Sequence, residues 1–421
     1  MKRHIIFLMI SLIASLGYAS GPNFASESNV TQLPEITGGD IEKSKQQKEN
    51  LIEELLGYDL QKLDEDENSR GLSGSQLISH LINLVNQRIF PSHLRDFESK
   101  ILNDNADKDV FLDYRGVDSG CYQFRLFHKN KDEVITNSEW ASSILTVPAK
   151  SLNNTNTGSS AVIAPSLQGS TMFIEGGIWN RLCDRGVASL TLESLYTRGW
   201  FGKWKKVPFD PSPNVEDVLD FSIYENSIKR YERILLKNIN FLRNFNQLKM
   251  SSGELLKDLP VMNLESDQVG YWGSSLGAIV GSIIIGKDPS IKGAVLTVAG
   301  GNLPYVISVS GINIFKYTRE AQMDILKLQN SKEYEKFLSK HLVTDPLDFV
   351  SSSDSNRVYM IIAKKDTSVP TRAQFELYEQ MGRPDRSLIS AGHVLTLIYT
   401  AWVGRESTDR AVDFIVDRLG Q

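Results

Sequence analysis

Cysteine is nearly absent from this chain: Cys121 and Cys183 are the only two in 421 residues. Two isolated thiols cannot supply the four-ligand set of a structural zinc site or the staples of a disulfide-framed mini-domain. In an oxidising compartment they could pair, but one reads as opening an early strand and the other as closing a helix, so the sequence leaves their pairing open. A basic surplus is also missing. Lys and Arg number 46 against 51 Asp and Glu, a net charge of −5, whereas a nucleic-acid binder shows a basic excess or a basic stripe. The cluster Lys203-Trp204-Lys205-Lys206 reads as solvated surface, and the acidic run 64–68 lacks the Asp-x-Asp-x-Asp-Gly order of a calcium loop. Nucleic acid and metal are therefore not expected partners.

Long apolar runs are scarce as well. Residues 5–16 form one, too short for the ~20 residues that span a bilayer. It follows Lys2 and Arg3 and runs into Gly17-Tyr18-Ala19, the small-residue pattern of a cleavable secretory signal. Cleavage is expected after Ala19, and no cysteine follows that could carry a lipid. The mature chain, two charges more negative without Lys2 and Arg3, is expected to be exported to the periplasm or the medium with no transmembrane segment.

Residues 20–40 are polar and rich in Ser, Asn and Gly, with nothing periodic to bury; they read as a flexible leader. Residues 41–110 read as a helical region, with apolar residues at helical spacing over 41–56 and 75–89 and a third helix over 91–102. Whether this region packs on the rest or engages a protein partner is open. From Gly120 the period changes. Residues 121–127 and 141–147 read as the first two strands, 161–164 as a third, 172–184 as a helix and 187–192 as a strand. A helix over 215–245 and strands over 293–298 and 358–363 continue the alternation. Such alternation predicts an α/β class, a mostly parallel sheet with helices on both faces, over 111–421. Residues 302–353 are too long for a simple connection and read as a helical cap insert whose apolar pieces, 303–307 and 312–315, line an acyl or alcohol pocket.

The strongest chemical signal is Gly273-Ser274-Ser275-Leu276-Gly277. This G-x-S-x-G run follows the apolar stretch 269–272 and opens the apolar helix 278–285. A nucleophile elbow needs that strand, turn and helix context: the turn is tight enough to strain the serine, and only small residues fit two positions before and after it. Acyl transfer by a serine also needs a base and an acid to orient that base. Asp366 lies just past the strand 358–363, and His393 lies in a small-residue loop close to the final helix. The other histidines are poorer candidates. His4 falls in the signal, His80 and His93 in the N-terminal helical region, His128 at a strand end and His341 in the insert. One decoy is Gly281 to Lys287, which has phosphate-loop spacing, but the next residue is Asp288 where that chemistry needs a hydroxyl.

These features resemble the α/β-hydrolase family of serine hydrolases, esterase- and lipase-like, over roughly residues 120–421. In that family the serine follows the fifth strand, the acid commonly the seventh and the histidine the eighth. The resemblance implies Ser275 as nucleophile, Asp366 as orienting acid and His393 as general base. Some relatives place the acid after the sixth strand, which makes Asp345 and Asp348 competitors. It further implies an oxyanion hole from the backbone N–H groups of Leu167, in the loop after the third strand, and Leu276. Many relatives have His-Gly where this chain has Pro165-Ser166, so Gln168 is the next choice of donor.

The reading is an exported serine hydrolase cleaving carboxylic esters, of small-molecule or lipid type, through a Ser-His-Asp triad and an acyl-enzyme, with no metal or organic cofactor. An oligopeptidase-like peptidase using the same chemistry on amides is one alternative; esters and aminoacyl anilides would separate the two. A non-catalytic protein that binds a partner on a hydrolase scaffold is another, and absence of turnover and of fluorophosphonate reaction would favour it.

Overall fold

A computed structural model describes residues 110–118, 120–129, 140–149, 158–166, 172–192, 214–245 and 264–420. The signal, the leader, nearly all of the N-terminal helical region, the cluster at Lys203 and both candidate loop donors, Leu167 and Gln168, lie outside the described residues.

The strands are β1 (Val110–Asp118), β2 (Cys121–Lys129), β3 (Trp140–Pro148), β4 (Gly158–Ala164), β5 (Ala188–Leu192), β6 (Leu264–Ser274), β7 (Ile291–Thr297), β8 (Val358–Ala363) and β9 (Asp385–Ile389). They form one nine-stranded sheet in the order β1-β2-β3-β5-β4-β6-β7-β8-β9. Pairings from β1 to β5 across β2 and β3 are antiparallel; those from β5 through β4 to β9 are parallel. The strand β1 corrects the sequence reading, which begins the sheet at Cys121. It is a hairpin partner of β2, with Asp118 opposite Cys121 and Gly120 turning the chain at φ +83°.

The helices are α1 (Met172–Asp184), α2 (Val215–Val218), α3 (Ser222–Arg243), α4 (Leu276–Lys287), α5 (Leu303–Val309), α6 (Asn313–Ile325), α7 (Ser331–Leu338), α8 (Thr371–Gln380), α9 (His393–Ile398) and α10 (Arg405–Arg418). The single helix expected over 215–245 is two: α2 closes at Leu219, whose N–H donates to Val215 O, and α3 opens after Phe221, with the Asp220 carboxylate in the turn between them accepting from the backbone N–H of Ser222 (3.2 Å).

Successive residues of a strand point to opposite faces, and the parallel strands show this residue by residue. Ile163, Trp272, Val295 and Ile361 pack with Ile178 and Leu182 of α1 and with Val412 and Ile415 of α10. Their neighbours Val162, Tyr271, Leu296 and Ile362 pack on the other face, among Ile234 and Leu235 of α3 and Ile283 and Ile284 of α4. With both faces covered, a central strand such as β8 is buried throughout, which is why its sequence is a continuous apolar run. The insert between β7 and β8 folds as α5, α6 and α7 on the α3 side of the sheet.

Cys121 and Cys183 form a disulfide, with their Cα atoms 6.4 Å apart, joining the start of β2 to the last turn of α1. Among the described residues no helix is long and apolar enough to cross a membrane.

Candidate active site

Parallel strands end at one edge, and register brings the ends of five of them, β4, β6, β7, β8 and β9, close to the same level. Ala164 lies beside Gly273, Ser274 beside Thr297, Thr297 beside Ile361, and Ala363 beside Ile389. Ser275 follows β6, Asp366 follows β8 and His393 follows β9. Counting from β2, these are the fifth, seventh and eighth strands, the positions that the resemblance implies.

The turn at Ser275 is strained. Its φ is +54° and ψ −112°, a region that side-chain-bearing residues seldom adopt without compensation. The compensation is visible: the N–H of Ser275 donates to Thr297 O (2.8 Å), and its carbonyl accepts from Ile279 N (2.9 Å), the first bond of α4. The two glycines are required by space. A Cβ on Gly273 would sit 2.6 Å from Ala278 Cα, and one on Gly277 would run into the carbonyl oxygen of Ala164.

The three sequence-identified residues meet. His393 Nε2 is 2.8 Å from Ser275 Oγ, and His393 Nδ1 is 2.7 Å from Asp366 Oδ2. A neutral imidazole that donates from Nδ1 to the carboxylate presents a lone pair at Nε2 to the hydroxyl, the tautomer a general base needs. The Asp366 side chain is fully buried and the ring of His393 11% exposed. Burying a carboxylate demands full hydrogen bonding, and Asp366 has it. Oδ1 accepts from the N–H groups of Ser368 (2.8 Å) and Val369 (3.0 Å), and Oδ2 from Gln374 Nε2 (3.1 Å) as well as from the histidine. The backbone bond from Lys365 N to Ala391 O, 3.1 Å, holds the aspartate and histidine loops together.

Asp345 does other work. Its carboxylate accepts from the N–H groups of Asn302, Leu303 and Leu347, capping α5 and the short turn Pro346–Asp348 that also carries Asp348. Burial raises its pKa, against the opposing pull of those backbone donors. His341 bonds through Nδ1 to Phe337 O (2.8 Å) and stacks on the Phe337 ring, and His128 sits at the end of β2 in the antiparallel half of the sheet. The phosphate-loop decoy is the body of α4, where Gly281 leaves room for the ring of Tyr271 and Ile283, Ile284 and Ile285 are buried.

Leu276 is the first residue of α4, where an N–H has no acceptor inside the helix. Opposite it, Pro165 leads into the loop after β4. Its carbonyl oxygen accepts from the hydroxyl of Tyr231 on α3 (2.7 Å) and from Gly277 N (3.1 Å), while Tyr271 donates to Gly277 O (2.6 Å). Burial pushes the phenol pKa values of Tyr231 and Tyr271 well up, so both remain donors. Nothing in the sequence singles out Tyr231, Tyr271 or Gln374. No motif marks a residue that serves the site only through folded geometry.

No protein-family model matches this sequence, and no curated protein matches it. Among solved structures, the chain is similar to acetyl xylan esterase 1 from a Thermoanaerobacterium species, at 12% identity and TM-score 0.45, covering 78% of this chain and 94% of that one. It is similar to an acetyl xylan esterase from a Paenibacillus species at 13% identity and TM-score 0.45, covering 76% and 93%. An α/β-hydrolase from a Penicillium species is similar at 13% identity and TM-score 0.42, covering 71% and 99%. These likenesses are too distant to speak for chemistry. The chain's own strand order and the placement of Ser275, Asp366 and His393 after β6, β8 and β9 make its fold that of an α/β-hydrolase.

Proposed function

We propose that the protein is a serine hydrolase that cleaves carboxylic esters through an acyl-enzyme. The observation that carries this reading is the continuous relay Asp366–His393–Ser275, with contacts of 2.7 and 2.8 Å on a strained turn. Ser275 Oγ attacks the ester carbonyl carbon while His393 Nε2 takes its proton. The oxyanion forms near the N–H of Leu276, with Leu167 in the proposed second donor position. The tetrahedral intermediate collapses, the alcohol oxygen takes the proton from His393, and the acyl group stays on Ser275. Water, deprotonated by His393, then attacks the acyl carbon and releases the acid. Among the described residues no charged side chain lines the cavity at Ser275. The described lining residues thus offer no counter-charge to the terminal ammonium or carboxylate of a peptide, which supports the ester reading.

The test is labelling with a fluorophosphonate, together with hydrolysis of p-nitrophenyl butyrate. Ser275→Ala should abolish labelling and lower kcat by about 10⁶. Asp366→Asn should leave the fold intact and lower kcat by about 10⁴, because the amide favours the wrong imidazole tautomer. Labelling that persists in Ser275→Ala would refute the nucleophile.

Export is proposed with it. The N-terminal signal pattern and the Cys121–Cys183 bond, of a kind that persists in oxidising compartments, both support it; N-terminal sequencing of the exported protein should begin at Ser20.

A further inference from the structure

A cavity of about 70 Å³ opens at Ser275, roughly five water-sized positions. Its walls come from four places. Tyr224 and Ile228 stand on α3, Leu276 and Ile279 on α4, and Ser368 and Val369 on the loop that bears the acid. The cap supplies the fourth wall, including Leu303 and Val306 of α5 and Phe315 of α6. Among the described residues in the lining, the only polar side chains are the hydroxyl-bearing Tyr224, Ser227, Ser275 and Ser368, and the others are hydrocarbon. His393 is not part of the lining.

That last observation separates the two ends of an ester. The departing alcohol oxygen must lie within reach of His393 Nε2, since that nitrogen returns the proton. The acyl carbon is bonded to Ser275 Oγ, and the carbonyl oxygen turns to the N–H of Leu276, which is in the cavity wall. The acyl substituent is left to point away from the imidazole, into the hydrocarbon-lined space. We infer that this cavity is the acyl subsite, and that it takes an uncharged alkyl chain of butanoyl to hexanoyl size, flanked on the cap side by Phe315 and on the α3 side by Ile228.

Tyr224 and Phe315 are neighbours in the cavity wall, ring centroids 6.2 Å apart. Tyr224 is backed by a buried cluster in which Tyr334 donates to Gln322 Oε1 and Gln322 Nε2 donates to Val218 O, 2.6 Å. The Tyr224 side of the cavity is therefore braced from behind.

The inference rests on the ester-hydrolase reading, so the experiment has an arm that does not need turnover. Linear alkylboronic acids from methyl to decyl would be titrated against the full chain, alongside p-nitrophenyl esters from acetate to decanoate. Each added methylene should improve boronate binding and kcat/KM about fourfold up to pentylboronate and the hexanoate ester, then reverse. A p-nitrophenyl succinate, similar in length to the butyrate but ending in a carboxylate, should be rejected about a hundredfold or more, because none of the described residues lining the space carries a counter-charge. Phe315→Ala should move the optimum to longer chains, and Ile228→Phe to shorter ones. A parallel series of acetate esters with lengthening alcohols should keep its rank order in both variants. If the variants reorder the alcohol series and leave the acyl series alone, the assignment is overturned while the nucleophile stands. Flat chain-length response in both arms, with Ser275 still labelled by fluorophosphonate, overturns it too. Absence of any labelling at Ser275 sinks the ester-hydrolase reading itself and this inference with it.

Discussion

The carbonyl of Pro165 carries two donors at the point where β4 gives way to the proposed oxyanion loop. Gly277 N comes from the start of α4 and the Tyr231 hydroxyl from α3, at 3.1 and 2.7 Å. Removing the hydroxyl leaves Gly277 in place, so Tyr231→Phe should cost only about 1 kcal/mol of stability. Its catalytic effect should be larger. A loop freed by a fraction of an ångström misplaces an oxyanion donor, and complete loss of such a donor costs about 10²–10³ in kcat. Tyr231→Phe should therefore lower kcat roughly tenfold with KM held. Steady-state kinetics beside a melting curve would show it; unchanged kcat with reduced stability would make this tyrosine purely a packing element. At this scale legibility follows chemistry. Ser275 and His393 stand out in sequence because a tight turn demands small neighbours and because only one histidine follows the acid candidates. Asp366 is harder, since Asp345 also sits in a turn and only folded geometry shows which carboxylate receives the imidazole. Tyr231 and Gln374 are invisible, because a buried hydroxyl or amide on a helix leaves no spacing signature.

The cap is tied to the sheet side by one carboxylate. Glu225, in the first turn of α3, accepts from the N–H groups of Val343 (2.6 Å) and Thr344 (2.7 Å) and from the Thr344 hydroxyl (2.7 Å), just after α7. Partial burial by itself would raise its pKa, but the bonds from Thr344 and Val343, with Lys229 nearby, outweigh this and lower it from the ordinary 4.5. A carboxylate whose folded pKa is depressed contributes stability in full above its unfolded value and loses it as pH falls through the folded one. The clasp should thus be complete above about pH 4.5 and fail below it. In thermal melts, wild type should fall toward Glu225→Gln as pH drops through that range, while standing clear of it at pH 7; parallel curves would show that the clasp does not titrate. Elements of this kind are partly legible in the sequence. Apolar runs mark β4, β6, β7 and β8, and α1 and α4 follow them as apolar helical stretches, because both faces of the sheet are covered. The strand β1 escapes a reading by pattern, since Val110–Asp118 carries Asp113, Arg115 and Asp118 among its apolar residues and is a strand through pairing with β2 rather than through its own alternation. The break between α2 and α3 escapes it too, because it rests on a local turn at Asp220 that interrupts no apolar period.

Two layers of helix and one sheet would hold without a covalent tie, yet the chain's only two cysteines are joined across them. The bond closes a loop with a sequence separation of 62 that takes in β2, β3, β4 and α1, and so encloses the strand that delivers Pro165 to the nucleophile. Cys121 opens β2 in the antiparallel half of the sheet, where among the described residues β3 is the only link between β2 and the parallel core. The tie therefore anchors the outer strands to a helix that packs on the centre. Restricting an unfolded loop of this length is worth about 4 kcal/mol in the chain-entropy view, with measured losses on removing a native bond of about 2–5 kcal/mol. Sequence leaves the pairing open, because strand start and helix end come together through the β4 crossover and not through any spacing. Chemical denaturation of the oxidised protein, of the same protein under dithiothreitol, and of the Cys121→Ser, Cys183→Ser double variant should give a high midpoint for the first and lower, coincident midpoints for the others. Activity near neutral pH should survive reduction at low denaturant, since Ser275, Asp366 and His393 follow strands that lie outside the closed loop. If activity instead vanished on reduction while the fold persisted, the bond would be setting the position of the loop after β4 rather than the stability of the sheet.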